Sequence, residues 1–223
     1  MKLIPIAVGE LETNCYLFSA DNKHCCIIDP GAEGVLIAQA VYDADLIPTS
    51  ILFTHGHLDH LLGAAELTAS LSRHGYSCRL YIHTSESEFT GPGCLKVHSR
   101  LLTAIDPHML PMYSSVISMI PKAENALEDG EVIPGTGLQV IHTPGHSTGS
   151  VCLYHEEFCL CFTGDTLFQG SVGRTDLPGG DMSRLQESLG RLISLVPDEA
   201  QLYPGHGPSS VMGQEKNTNP YLR

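Results

Sequence analysis

Basic side chains are scarce in this sequence. Its 223 residues hold 12 Lys and Arg against 25 Asp and Glu, a formal net charge of −13 at pH 7. Sequence-independent binding to a phosphate backbone needs Lys/Arg surfaces, so no nucleic-acid partner is expected. The same charge argues against docking to anionic membranes. No apolar run approaches the roughly 20 residues of a membrane-spanning helix. The N-terminal MKLIPIAVGE carries one Lys and is interrupted by Pro5, Gly9 and Glu10; it is a poor secretory signal and reads as a first β-strand. C-x-x-C pairs are missing too, although eight cysteines occur: Cys15, Cys25, Cys26, Cys78, Cys94, Cys152, Cys159 and Cys161. A disulfide framework belongs to smaller secreted domains, so buried free thiols in a reducing cytoplasm are expected. Cys159 and Cys161 are expected on one face of a strand, where direct bridging is disfavoured. With no low-complexity segment and no dividing linker, residues 1–223 are expected to form one domain.

What is present is an ordinary globular mixture, 42% hydrophobic and 17% charged, with enough apolar material for a sizeable core. Short strand-like runs alternate with helical patterns. LIPIAV (3–8), NCYLFS (14–19) and HCCIID (24–29) read as an antiparallel meander with a turn at Asp21-Asn22. Residues 33–44 have helical spacing, SILF (50–53) is a strand, 58–73 a helix, and RLYIH (79–83) another strand. Residues 84–125 hold Pro92, Pro107, Pro111 and Pro121 and read as an irregular excursion with a helix around 95–105. Strands follow near 137–143, 150–155 and 158–163, then a helix at 181–195, the strand QLYP (201–204) and a last helix near 209–217.

The stretch THGHLDH (54–60) places His55, His57, Asp59 and His60 together after an apolar strand. His55 and His57 are one residue apart, so in extended backbone both imidazoles point to one side. Three other strands end in a tight turn bearing a His or Asp: LQVIHT runs into Pro144-Gly145-His146, FCLCFT into Gly164-Asp165, and QLY into Pro204-Gly205-His206. Residues just past strand ends line the ligand crevice of open α/β sheets, so these turns are expected to converge. Imidazole nitrogen and carboxylate oxygen suit borderline cations such as zinc, and mixed N/O sets also admit iron and manganese. Seven candidate ligands are too many for one open site and fit two ions if one ligand bridges. Asp165, the only distant carboxylate of the set, is the natural bridge, at the separation of two-metal hydrolases. A lone His is ordinarily a surface or structural residue, the reading kept for His24, His74, His83, His98, His108 and His155.

THGHLDH, TPGHS (143–147), TGDTLF (163–168) and YPGHG (203–207), in that order, resemble the metallo-β-lactamase-fold hydrolases. GSVGRTDLPGGD (170–181) and EKNTNPYL (215–222) resemble their short glyoxalase II-like, or hydroxyacylglutathione hydrolase-like, subgroup. The resemblance covers nearly the whole chain. It implies an α/β (α+β) class protein: a four-layer αββα sandwich of two mixed β-sheets with helices outside and a metal site at one edge. It implies two divalent metal ions, zinc first with iron or manganese as alternatives. By motif match His55, His57 and His146 hold one ion, Asp59, His60 and His206 the other, and Asp165 bridges. Asp29 of IIDPG matches an aspartate that orients the histidine loop, since a ligand His needs an acceptor on its other nitrogen. Arg174 and Asp176 of GRTD are the next supporting candidates.

The implied activity is metal-dependent hydrolysis of a small-molecule thioester, such as a hydroxyacyl-thiol, by a metal-bound hydroxide. Two cations bring the pKa of a shared water toward neutrality, and one polarises the carbonyl. Asp59 and Asp165 are the expected catalytic carboxylates, with Asp59 orienting the hydroxide; no substrate-binding residue is assigned. The glutathione contacts of full-length glyoxalase II enzymes have no match in GSVGRTDLPGGD, and the sequence ends 17 residues past His206, without their C-terminal helical domain. The acyl group, the thiol and the oligomeric state therefore stay open. The competing readings within the fold are a persulfide dioxygenase with mononuclear iron and a lactonase. A nuclease is disfavoured by the charge, and a degenerate scaffold by the completeness of the ligand set.

Overall fold

Strand alternation organises the architecture. The computed structural model describes residues 1–222. Strands β1 (Lys2–Val8), β2 (Thr13–Ser19), β3 (His24–Ile28), β4 (Ile47–Leu52), β5 (Arg79–Ile82) and β6 (Asn125–Ala126) form one six-stranded sheet in that order. Its first three strands pair antiparallel and the remainder parallel. The later strands are β7 (Gln139–His142), β8 (Val151–His155), β9 (Leu160–Gly164), β10 (Leu167–Phe168), β11 (Ser171–Val172), β12 (Gln201–Pro204) and β13 (Ser210–Val211). Of these, β10 and β11 make a separate hairpin; the others form a second sheet of order β13-β12-β9-β8-β7. That sheet is mixed, with β12 parallel to β9 and its other pairings antiparallel. The helices are α1 (Gly34–Asp43), α2 (Leu58–Leu61), α3 (Ala64–Arg73), α4 (Cys94–Ile105), α5 (Met109–Ile117), α6 (Met182–Leu195) and α7 (Met212–Thr218).

Successive side chains of a strand enter different cores. Cys15, Leu17, Ile27 and Ile51 pack with Ile37 and Val41 of α1 and Leu67 and Leu71 of α3. Their neighbours Tyr16, Phe18, Ile28 and Leu52 point the other way, against Leu153 and Phe162 of the second sheet. On that sheet's far face Ile141, Cys152 and Cys161 pack with Leu185, Leu189 and Leu192 of α6. Each sheet is thus buried on both faces, which is why its strands read as near-continuous apolar runs. This is the expected αββα sandwich. Phe18 and Phe162 meet edge-on at a centroid distance of 5.6 Å and join the two sheets; truncating either to Ala costs ~3–5 kcal/mol.

Three local expectations are corrected. The helix expected at 58–73 is broken after α2. The Gly63 N–H donates to Pro30 O at 2.9 Å, and a Cβ at Gly63 would meet the Pro30 and Ala32 carbonyls at 2.7 Å. A backbone crossing that only glycine permits therefore interrupts the apolar periodicity. Residues 84–125 are less irregular than expected: the helix expected around 95–105 is α4, and a 3-10 turn (Thr84–Phe89) and a second helix, α5, accompany it. Their buried Cys94, Leu101, Leu102 and Ile117 belong to the same apolar core as residues of α1 and α3. Cys159 lies outside β9, in the preceding turn with φ 49°, so it does not share a strand face with Cys161. All eight thiols are unpaired and six are buried. Among the described residues, no helix is long and apolar enough to cross a membrane.

Candidate metal centre

Strand direction brings the site together. β7 and β9 flank β8 antiparallel, and β12 runs parallel to β9, so all three C-terminal ends open at one edge. His146 follows β7, Asp165 follows β9 and His206 follows β12. The Gly205 N–H donates to Gly164 O at 2.8 Å and fixes the last two turns side by side. The loop after β4, carrying His55 and His57, is tied to the same edge by the Val151 N–H donating to Thr54 O at 2.9 Å. His57 has extended backbone and immediately precedes α2, which places Asp59 and His60 in that helix's single turn.

Three overlapping groups of potential ligand atoms result: His55, His57 and His146; His55, His60 and Asp165; and Asp59, His60 and His206. Within each, the atoms lie within 4.8 Å of one another. Nε2 of His146 is 2.8 Å from Nδ1 of His57 and 3.3 Å from Nε2 of His55. Nε2 of His206 is 3.1 Å from Asp59 Oδ2. Asp165 touches both outer groups: Oδ1 is 3.5 Å from His60 Nε2, and Oδ2 is 3.5 Å from His146 and 3.7 Å from His206. All seven expected ligands are therefore gathered at one place.

The arrangement has the signature of a cation site. His60 Nε2 and Asp165 Oδ1 are buried without a hydrogen-bond partner, a costly condition for polar atoms unless a cation satisfies them. Gly205 leaves the space between them clear, because a Cβ there would collide with Asp165 Oδ1 and approach His60 Cε1 at 2.7 Å. Hard and borderline donors, imidazole and carboxylate, suit a divalent ion.

The outer nitrogens of the rings are held as metal-ligating imidazoles require. His60 Nδ1 donates to Asp29 at 2.9 Å, His146 Nδ1 to the Arg174 carbonyl at 2.8 Å and His206 Nδ1 to the Leu11 carbonyl at 3.0 Å. Thr54 gives its hydroxyl proton to Asp29 at 2.6 Å and so accepts from His55 Nδ1 at 3.1 Å. Asp29 also accepts the Thr54 N–H at 2.7 Å. One buried carboxylate thus orients His60 directly and His55 through Thr54. These bonds turn Nε2 of His55, His60, His146 and His206 inward.

Electrostatics divides the site. Burial, aided by His60 and the other rings, holds His55 well below an ordinary imidazole. Burial and then His146 lower His57 to about 3. For His60 burial acts in the same direction, but Asp59, Asp165 and Asp29 outweigh it and raise the pKa. For His206, too, burial is overcome, by the hydrogen bond to Asp59 and the charge of Asp165. Asp59 stays ionised: burial opposes charge, but His60 and the bond from His206 win.

Arg174 and Asp176 differ from expectation. Their side chains form an exposed bidentate pair at 2.7 Å, 56% and 66% accessible, and Arg174 reaches His146 only through its carbonyl. Any residue could supply that carbonyl, so neither side chain orients a ring of the cluster. Sequence reasoning missed Glu86, 1% exposed, whose carboxylate accepts from Gly56 and Gly149. It also missed Thr54 and Thr13; the Thr13 hydroxyl donates to Asp59 at 3.2 Å. Thr54 had a signal, its place beside His55. Glu86 lay in the segment that reads as irregular.

The model of the metallo-beta-lactamase superfamily matches residues 8–206. The chain is 31% identical over 225 residues to the hydroxyacylglutathione hydrolase GloC of Haemophilus influenzae, covering 100% of this chain and 98% of that protein. Two solved structures are similar. The BLEG-1 B3 metallo-beta-lactamase has a TM-score of 0.82 and 34% identity, covering 99% of each chain. TTHA1623, in a di-iron-bound form, has a TM-score of 0.76 and 36% identity, covering 98% of this chain and 100% of that one.

Proposed function

The chain belongs to the metallo-beta-lactamase superfamily of metal-dependent hydrolases, and from that premise we propose that it hydrolyses a thioester at a two-metal centre. In this reading His55, His57 and His146 hold one ion, Asp59, His60 and His206 the other, and Asp165 bridges. The observation that carries it is Asp165, whose carboxylate lies beside rings of both groups, Oδ1 near His60 and Oδ2 near His146 and His206. Zinc and iron both suit this donor set, and the di-iron form of TTHA1623 makes iron a concrete alternative.

Bound divalent ions supply Lewis acidity and a water acidified toward neutrality. The protein's own groups do the positioning. Asp59 is ionised and fixed by Thr13 and His206, so it orients a water by accepting its proton in a hydrogen bond rather than storing that proton. Asp29, directly for His60 and through Thr54 for His55, keeps the inward nitrogens aimed. A thioester suits this site because a thiolate departs without a proton and the mechanism then needs no general acid. The similarity to GloC supports the same bond type.

Elemental analysis of the purified protein, paired with a panel of thioesters, lactones, a β-lactam and persulfides, tests the reading. About two metal equivalents per chain and preferential thioester cleavage are expected. One iron with persulfide-dependent oxygen uptake, or preferential β-lactam cleavage, overturns it.

A further inference from the structure

A cavity of about 690 Å³ opens directly beside His57, Asp59, Asp165 and His206. Its size falls in the range of small-molecule sites. Its far wall is apolar and comes mainly from α4 and α5: Leu101, Leu102, Ile105, Met109 and Tyr113, with Leu62 of the α2–α3 break also contributing. Leu101 and Leu102 are fixed by burial in the core, so the wall is preformed. Ile105 is 50% exposed, an apolar side chain left at the mouth with water as its neighbour.

Among the described residues, charge lining the cavity, apart from the candidate ligands, is confined to Glu10 and Arg174, with no lysine. The Arg174 guanidinium already engages Asp176 bidentately. A thiol carrying several carboxylates or phosphates would meet Glu10 and find no uncommitted cation, in a chain of net charge −13. An apolar group would gain by leaving water along the α4/α5 wall. Resting on the hydrolase reading above, we propose that the cavity takes the apolar, alkyl or aryl, acyl chain of a thioester whose thiol is neutral. Water supplies the new oxygen on the acyl carbon and the C–S bond breaks with its electron pair on sulfur; one water proton ends on that sulfur and the other passes to solvent, leaving a carboxylate and a thiol.

The acyl series from acetyl to octanoyl, on the neutral thiol N-acetylcysteamine and on glutathione, tests this by turnover. Binding is read separately by calorimetry with the corresponding n-alkyl amides, which the enzyme need not cleave. The holoprotein should show kcat/KM rising, and amide Kd falling, by about threefold to fourfold per methylene. The heat-capacity change of binding should become more negative with chain length, and N-acetylcysteamine esters should outrun glutathione esters. I105E, at a half-exposed position that does not endanger the fold, should flatten both slopes. Kd and kcat/KM independent of chain length, or unchanged slopes in I105E, overturn the assignment. Amides that bind with the expected slope while no thioester is cleaved would sink the hydrolase reading and leave the pocket standing. Thioester cleavage with flat slopes would do the reverse.

Discussion

The carboxylate of Glu86 accepts the main-chain N–H of Gly56 at 2.6 Å. Its other oxygen accepts the N–H of Gly149 at 3.0 Å. Gly56 sits between His55 and His57, and Gly149 lies three residues past His146, so one buried acid clamps the two turns that bring the first three rings together. Charge-assisted bonds from two amides offset the desolvation of the carboxylate. Gly56 must be glycine for this approach, because a Cβ would meet the Phe89 ring at 2.5 Å.

Replacing Glu86 by Ala leaves two buried amides without acceptors. The expected cost is ~1–3 kcal/mol for each, read by urea denaturation of the metal-free protein. Affinity for the first metal equivalent should fall about 10–100-fold, measured against a chromophoric chelator. E86Q, whose amide oxygen can serve only one of the two donors, should lie between. Wild-type stability and affinity in E86A would show that the clamp is idle.

D165N keeps the shape of the proposed bridge and removes its charge. Metal content by elemental analysis should drop by about one equivalent, and thioester kcat/KM at least about a hundredfold, the order lost with a single transition-state contact. Full metal content with undiminished turnover would remove Asp165 from the centre.

The two ligand groups should load differently with pH. In the metal-free protein the pKa values of His60 and His206 lie above the usual 6.5. Their protonation stabilises the fold below that value, and the contribution is lost as pH rises through the raised folded values. An ion entering beside Asp59 must therefore expel protons, and its affinity should climb as pH rises from about 6. His57, lowered to about 3, and His55, held well below 6.5 by burial, are already neutral throughout this window. The equivalent held with His146 should consequently keep its affinity to lower pH. Chelator competition from about pH 5.5 to 8, with calorimetry in buffers of different ionisation enthalpy, measures both effects. Two binding steps with equal pH dependence would contradict the division.

Much of the centre was legible in the sequence because its ligands fall in the short stretches just past the ends of four apolar strands. The layered fold followed from the same runs. Less legible was everything that tertiary contact decides. The stop in the helix at 58–73 depends on Gly63 meeting Pro30, a partner 33 positions earlier in the chain. The acceptors for His146 and His206 are the carbonyls of Arg174 and Leu11, which any residue possesses; the GRTD stretch therefore drew attention to side chains that only pair with each other. In residues 84–125 the helix around 95–105 was legible as α4, but the prolines masked α5. Pro111 lies in the first turn of α5, where a missing N–H costs little, so its presence did not exclude a helix.

Gly205 offers the sharpest separation of folding from metal binding. It lies directly after β12, at a turn whose backbone already bonds Gly164 and Asn14. The missing side chain keeps the space between Asp165 and His60 clear. G205A would push a methyl group against Asp165 Oδ1 and within 2.7 Å of His60 Cε1. Overpacking of this kind costs ~1–3 kcal/mol, which a sandwich with three apolar clusters tolerates. The variant should therefore fold, with the far-UV circular dichroism of the parent, yet lose affinity for the ion held by His60 and turn over no thioester. Because the wild-type protein stripped by a chelator keeps Gly205, adding metal back should restore its activity and leave G205A inactive. Recovery of both would mean that the gap between Asp165 and His60 does not govern the chemistry.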